Sequence, residues 1–223
     1  MTEIVSYAQH GGVATLTMYD GKANALSLAM SRALDAGLDR AAKEAKVVVI
    51  RGRPGVLCGG FDLKVIRGND PAQAAAMREA GMQLLARLYL LPLPLIFACT
   101  GHSVAAGALL LLTGDIRIGV RGEFRIGLNE VGIALALPQT GIELARDRLS
   151  AAALTEAVAL ARLYSPDDAA SAGYLDAAVD TAVFDTTVAQ HAEALLKLDP
   201  VAFATTKQRL RQPTLDRIAA ATA

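Results

Sequence analysis

The chain has 223 residues, with 22 Lys and Arg balanced by 22 Asp and Glu. Without a surplus of cations, a nucleic-acid partner is not expected, because binding a phosphate backbone draws on excess positive charge. Hydrophobic residues make up 53% while aromatics make up 4% with no Trp, so one domain can form around an aliphatic, Ala-rich core.

In chain order, residues 13–18 (VATLTM) alternate as a strand with one buried face. The turn GKANALS follows, and Ser27 is placed to cap a helix running to about Lys43. KVVVIRG (46–52) is a short β-branched run of the kind found in fully buried strands. After the Gly-rich turn RPGVLCGGFD, an amphipathic helix is predicted from Pro71 to Leu91, where Pro92 and Pro94 end it. LIFACTG reads as a second buried strand, SVAAGALLLLTG as a buried helix and DIRIGV as a third strand. EFRIGLNEVGIA suggests a short strand and a turn. From Gly141 the pattern is mostly helical, with a late start at Asp199-Pro200. Strands alternating with helices predict an α/β fold with mostly parallel pairing.

The segment from Leu88 to Thr113 carries no charge and is long enough to cross a bilayer, for which about 20 residues suffice. Pro92, Pro94, Gly101 and His102 interrupt it, and no Lys or Arg cluster flanks it. A buried strand and helix are therefore expected, with no membrane partner. MTEIVSYAQHGG has neither a basic start nor an apolar run, so no secretion signal is expected. Cys58 and Cys99 are far apart with no metal-ligand spacing around them. Reduced thiols, no metal and a cytoplasmic location are the expectation.

Three segments carry candidate chemistry. In Val56-Leu57-Cys58-Gly59-Gly60-Phe61-Asp62-Leu63, two glycines follow a buried strand and Asp62 can cap a helix. N–H groups near Phe61 would then be available to an anion or oxyanion, although a Gly-Gly turn is equally explained as only a turn. Cys99-Thr100-Gly101-His102-Ser103-Val104-Ala105-Ala106-Gly107 repeats the pattern and offers N–H groups near Ala106. That position falls at the carboxyl edge of the sheet, where ligands of α/β folds collect; close helix packing would select the same small residues. The third, Arg125-Ile126-Gly127-Leu128-Asn129-Glu130-Val131-Gly132, sets Glu130 among apolar neighbours. Burial there would raise its pKa toward the range of a proton carrier, whereas on a surface loop it would be an ordinary glutamate. A rival reading of another class rests on Gly101-x-Ser103-x-Ala105, a near match to the nucleophile elbow of serine hydrolases. It would use Ser103 with His191, the one downstream histidine.

Together these segments resemble the crotonase (enoyl-CoA hydratase/isomerase) family over about residues 4–211. Ala23-Asn24-Ala25-Leu26 and Thr113-Gly114-Asp115-Ile116-Arg117 add to the likeness. The resemblance implies a crotonase-like spiral of ββα units over about 1–140 and a helical C-terminal region over about 141–223, in one domain that assembles as a homotrimer or hexamer. It implies an oxyanion hole for an acyl-CoA thioester, with the N–H groups of Phe61 and Ala106 as donors, Glu130 as the proton carrier and no cofactor beyond the substrate's own coenzyme A. Lys22, Ala23, Gly59, Gly60 and Lys64 match substrate-binding positions, and Lys207 is a candidate phosphate contact from a late helix. Hydratases of the family use a second glutamate one turn after Ala106, and this chain has Leu109 there. A lone glutamate suits moving a double bond from 3-enoyl-CoA to trans-2-enoyl-CoA better than adding water. Enoyl-CoA hydration and coenzyme A binding without catalysis are the alternatives on the same fold.

Overall fold

The computed structural model describes residues 3–222. Nine strands and nine α-helices follow one another among them. Strands β1 (Val5–His10) and β2 (Val13–Met18) form an antiparallel hairpin. Helix α1 (Leu28–Glu44) begins at Ser27, whose hydroxyl accepts from the Met30 N–H at 3.1 Å. Its apolar face, including Met30, Leu34 and Leu38, is fully buried.

Three coils then repeat one plan. The first is β3 (Val47–Arg51), β4 (Gly55–Cys58), a single-turn helix α2 (Leu63–Ile66) and α3 (Pro71–Tyr89). The second is β5 (Leu95–Cys99), β6 (Gly101–Val104) and α4 (Ala106–Thr113). The third is β7 (Ile116–Val120), β8 (Ile126–Gly127), a 3₁₀ turn at Val131–Ile133 and α5 (Gln139–Arg148). Each coil gives its first strand to a six-stranded sheet, completed by β9 (Ala177–Val179) in the order β1-β2-β3-β5-β7-β9. Its second strand goes to a small parallel sheet, β4-β6-β8. The remaining helices are α6 (Ala151–Val158), α7 (Pro166–Ala172), α8 (Thr181–Leu195) and α9 (Pro200–Thr222).

The expected spiral of ββα units is therefore present, followed by a mostly helical region that also holds β9. Sequence reading joined β4 to a turn and β6 to a helix, and passed over β1 and β9. Short strands of two to six residues carry too few positions for a period to stand out. One apolar cluster fills the space between the sheets and α1, α3 and α4, while a second lies between the outer face of the large sheet and α8. The uncharged stretch becomes β5, β6 and an eight-residue buried α4, and no helix of the described residues is long and apolar enough to cross a membrane.

Helix α9 is tethered to the body by side chains of one helical face. Asp115 bonds Lys207 at 2.7 Å and Arg211 at 2.8 Å, and it accepts the Leu95 N–H at 2.8 Å. Arg211 also donates to the carbonyls of Tyr89 and Thr113, Thr214 to Asp147, and Arg217 to Glu143. Because Lys207 is buried in this cluster, the expected phosphate contact is corrected to a structural tether. Burial pushes its ammonium down to about 8 against the pull of Asp115.

Candidate active site

Strands β4, β6 and β8 are parallel neighbours, so their carboxyl ends lie at one edge. The residues just beyond those ends are Gly59–Phe61, Ala105–Ala106 and Asn129–Glu130, which are the three segments singled out by sequence. A cleft of about 90 Å³ opens there, lined by Gly59, Phe61, Ala105, Asn129 and Glu130 with Leu63, Ile66, Ile133 and Leu135. A larger groove, about 510 Å³, lies elsewhere, between α8 and the outer face of β1–β3. Its lining includes none of the three segments, so the smaller cleft is where the chemistry converges.

The first two loops are locked together. Gly60 has φ +97°, and a Cβ on it would lie 3.0 Å from the Ala105 Cβ and 3.7 Å from the Ala106 nitrogen. A Cβ on Gly107 would meet the Cys58 carbonyl oxygen at 2.2 Å, so α4 approaches the end of β4 as closely as backbones allow. Ala105 takes the turn at φ 51°, ψ −123°, a strained pair for a residue with a Cβ, and its N–H donates to the Gly127 carbonyl at 3.0 Å. The loop before α4 is thus tied to the end of β8. The N–H of Ala106 opens the helix and has no i−4 partner, and that of Phe61 likewise donates to no acceptor among the described residues.

Glu130 is half-buried, and its Oε2 is fully buried without a hydrogen-bond partner among the described residues; the Asn129 Oδ1 beside it is in the same condition. Burial raises the pKa of Glu130 above its ordinary 4.5, with backbone N–H groups of Glu130 and Asn129 opposing more weakly. It is the one titratable side chain among the cleft's lining residues. Sequence reading took Asn129 only as context for Glu130; a buried polar atom left unpaired is the signal that marks it, and that signal exists only in three dimensions.

The remaining candidates sit around this centre. Asp62 caps α2 by accepting the Lys64 N–H at 2.9 Å, leaving the Lys64 side chain exposed. Lys22 and Ala23 are exposed on the loop before α1, and the Gly59 N–H donates to the Ala23 carbonyl at 2.8 Å. Two residues not singled out as site candidates shape that loop. Asn24 is fully buried at φ 51° and donates to the carbonyls of Met18 and Leu57 at 3.0 and 3.1 Å. Arg53 Nε donates to the Lys22 carbonyl at 2.9 Å.

Leu109 does not line the cleft. It is buried on α4, next to the site where a Gly141 Cβ would touch it and Leu137. Ser103 lies within β6 rather than at the turn, and its Oγ is buried with no partner among the described residues. No base therefore adjoins it, and His191 lies on α8. That arrangement lacks what a serine nucleophile requires. No group of three or more His, Cys, Asp or Glu that could hold a metal occurs among the described residues.

Residues 8–223 match the family model described as enoyl-CoA hydratase/isomerase. An enoyl-CoA hydratase/isomerase family protein from Pseudomonas syringae is 42% identical, with a TM-score of 0.94 over 97% of this chain and 94% of that one. A probable enoyl-CoA hydratase from Mycobacterium tuberculosis is 36% identical, with a TM-score of 0.93 over 97% and 92%. The human mitochondrial enoyl-CoA delta isomerase 1 is 28% identical over 93% of this chain. The chain spans 70% of that human protein's length and 62% of its rat counterpart's. With the spiral, the three loops and these likenesses together, the chain belongs to the enoyl-CoA hydratase/isomerase family and is an enzyme of the crotonase superfamily.

Proposed function

We propose that this protein shifts the double bond of a 3-enoyl-CoA to give trans-2-enoyl-CoA. The observation that carries the reading is that Glu130 is the one titratable side chain lining the cleft, with a raised pKa and an unpartnered buried oxygen. In this mechanism the thioester oxygen accepts from the Phe61 and Ala106 N–H groups. The Glu130 carboxylate removes a proton from C2, and the C–H electron pair moves onto the thioester oxygen as an enolate. The same carboxyl group then delivers that proton to C4 while the enolate collapses, leaving the double bond between C2 and C3. Each oxyanion donor is worth about 3 kcal/mol toward the enolate. Coenzyme A enters as part of the substrate, with Lys22, Ala23 and Lys64 around its path.

Hydration of 2-enoyl-CoA is the second reading. It is supported by a relative called a probable enoyl-CoA hydratase from Rhodobacter capsulatus, 32% identical over 143 residues. Water addition asks for one group to hold and deprotonate water and another to protonate C2, and Glu130 is the one titratable side chain lining the cleft. The deciding experiment is to measure wild-type turnover of 3-enoyl-CoA against hydration of 2-enoyl-CoA. Faster isomerisation is expected, and fast hydration with little isomerisation would overturn the assignment. For a serine hydrolase, by contrast, a fluorophosphonate would label Ser103 stoichiometrically; no labelling is expected, and Ser103→Ala should keep acyl-CoA turnover nearly intact.

A further inference from the structure

The loop before α1 folds around its own acid. Asp20 accepts the N–H groups of Lys22 at 2.7 Å, Asn24 at 2.9 Å and Ala25 at 3.1 Å, and its own N–H donates to the Asn24 Oδ1 at 3.0 Å. These bonds close the loop on itself and leave the Lys22 carbonyl with no backbone donor among the described residues. A side chain 31 residues further on takes that carbonyl instead. Arg53 donates to it from Nε at 2.9 Å and from Nη2 as well. Two N–H groups of one planar fork on one oxygen fix its direction as well as its distance, which a single ammonium cannot do.

Arg53 is itself held ready. It stands in the tight turn between β3 and β4, where the Val56 N–H donates to its carbonyl at 3.1 Å. A Cβ on Gly52 just before it would lie 2.1 Å from the Val56 carbonyl oxygen, so the turn has no slack. Its Nη1 donates to the Pro54 carbonyl at 3.2 Å. All of these bonds go to carbonyls and none to a carboxylate, so the guanidinium is committed to backbone among the described residues. We propose that Arg53 is a positioning residue for the substrate, fixing the Lys22–Ala23 loop in the place where coenzyme A is bound. The inference rests on the acyl-CoA reading above, which runs the coenzyme past Lys22 and Ala23. A loop ordered before binding leaves less ordering for the ligand to impose, so loss of Arg53 falls on affinity. The bonds from Asn24 to the Leu57 carbonyl, from Gly59 to Ala23 and from Leu26 to Gly60 still tie the loop to the turn that carries Phe61, so the chemical step keeps its frame.

The test is calorimetry with coenzyme A itself, joined to steady-state kinetics on a 3-enoyl-CoA. Arg53→Ala is expected to weaken coenzyme A binding and raise KM by about tenfold, the order of one charge-assisted hydrogen bond, while kcat changes by less than about twofold. Arg53→Lys keeps the charge without the fork and should recover only part of the lost affinity. Full recovery by lysine would show that charge alone suffices and would overturn the positioning role. Unchanged affinity in Arg53→Ala would overturn it too, as would a fall in kcat at constant KM. A lower melting temperature with wild-type affinity would mark Arg53 as structural only and reject the proposal. If Arg53→Ala does not fold, Arg53→Lys decides, a several-fold loss of affinity upholding the role and none rejecting it. If no 3-enoyl-CoA is converted, the proposed reaction fails and the calorimetry alone judges Arg53. Wild-type protein that binds no coenzyme A would reject the acyl-CoA reading and this inference together.

Discussion

Glu130 is held where its charge is costly, and both activity and stability should register this. Its raised pKa means that the carboxylate needed as a base is lost on acidification at a pH above the ordinary carboxyl value of 4.5. The acid limb of kcat/KM should report that displaced value. Glu130→Gln should keep acyl-CoA affinity while lowering turnover by about 10²–10⁴-fold, the contribution of a positioned general base. For stability, a carboxyl group with a raised folded pKa favours the folded state below its unfolded pKa, and that contribution is lost as pH rises through the folded pKa. Glu130→Gln should therefore melt higher than wild type at neutral pH, with the difference vanishing in acid. Equal melting temperatures at neutral pH would contradict the burial argument. Asn24 makes the complementary case of a buried polar group fully used. Asn24→Ala orphans two buried carbonyls and should cost about 1–3 kcal/mol in urea unfolding, with a higher KM as the Ala23 loop loosens. The residues of the site were readable wherever chemistry required a residue type: two glycines, a turn of small residues, a glutamate among apolar neighbours. Asn24, Asn129 and Arg53 were not read as site-shaping residues, because their roles depend on carbonyls and cavities brought together from distant parts of the chain.

At the level of elements, α9 is held less by apolar burial than by charge. Asp115, between β7 and the end of α4, faces both Lys207 and Arg211. Asp115→Ala would leave two buried cations without their counter-ion and should destabilise the fold by about 3–5 kcal/mol, read from urea unfolding. Lys207→Met should cost less, because Asp115 keeps Arg211. Glu143 makes a second tether, and the hydrogen bond from Arg217 holds its pKa below the ordinary carboxyl value. That contribution is present above the unfolded pKa and disappears as pH falls through the depressed folded value, so α9 should loosen in acid. Hydrogen exchange of α9 amides across that range checks it, and unchanged protection would refute it. Helices were legible because capping residues such as Ser27 and long amphipathic runs leave a periodic trace. The second strands of the first two coils were not. β4 and β6 become strands through their neighbours' backbones, and nothing local in GVLC or GHSV demands it.

For the whole molecule, Val131, Leu160, Val201 and Leu210 are 48–73% exposed; aliphatic side chains scattered singly on a surface are ordinary, so the oligomeric expectation rests on the family resemblance. We expect a trimer or a multiple of one by light scattering, and a stable monomer at micromolar concentration would contradict this. The alternation of strands and helices made the α/β class legible, whereas the division of each coil between two sheets became apparent only in three dimensions. That division also separates the labour of the site. In the proposed mechanism, the two loops that donate to the thioester oxygen come from the first and second coils, and the loop that carries the proton comes from the third. Each hangs from its own strand end, but the first two pack so closely that a Cβ on Gly107 would collide with the Cys58 carbonyl oxygen. A lineage built on this plan can exchange side chains of the third loop and acquire a different reaction while inheriting the same pair of backbone loops. The coil is in that sense a partly modular inheritance, in which the third loop can be edited alone while the first two must change together.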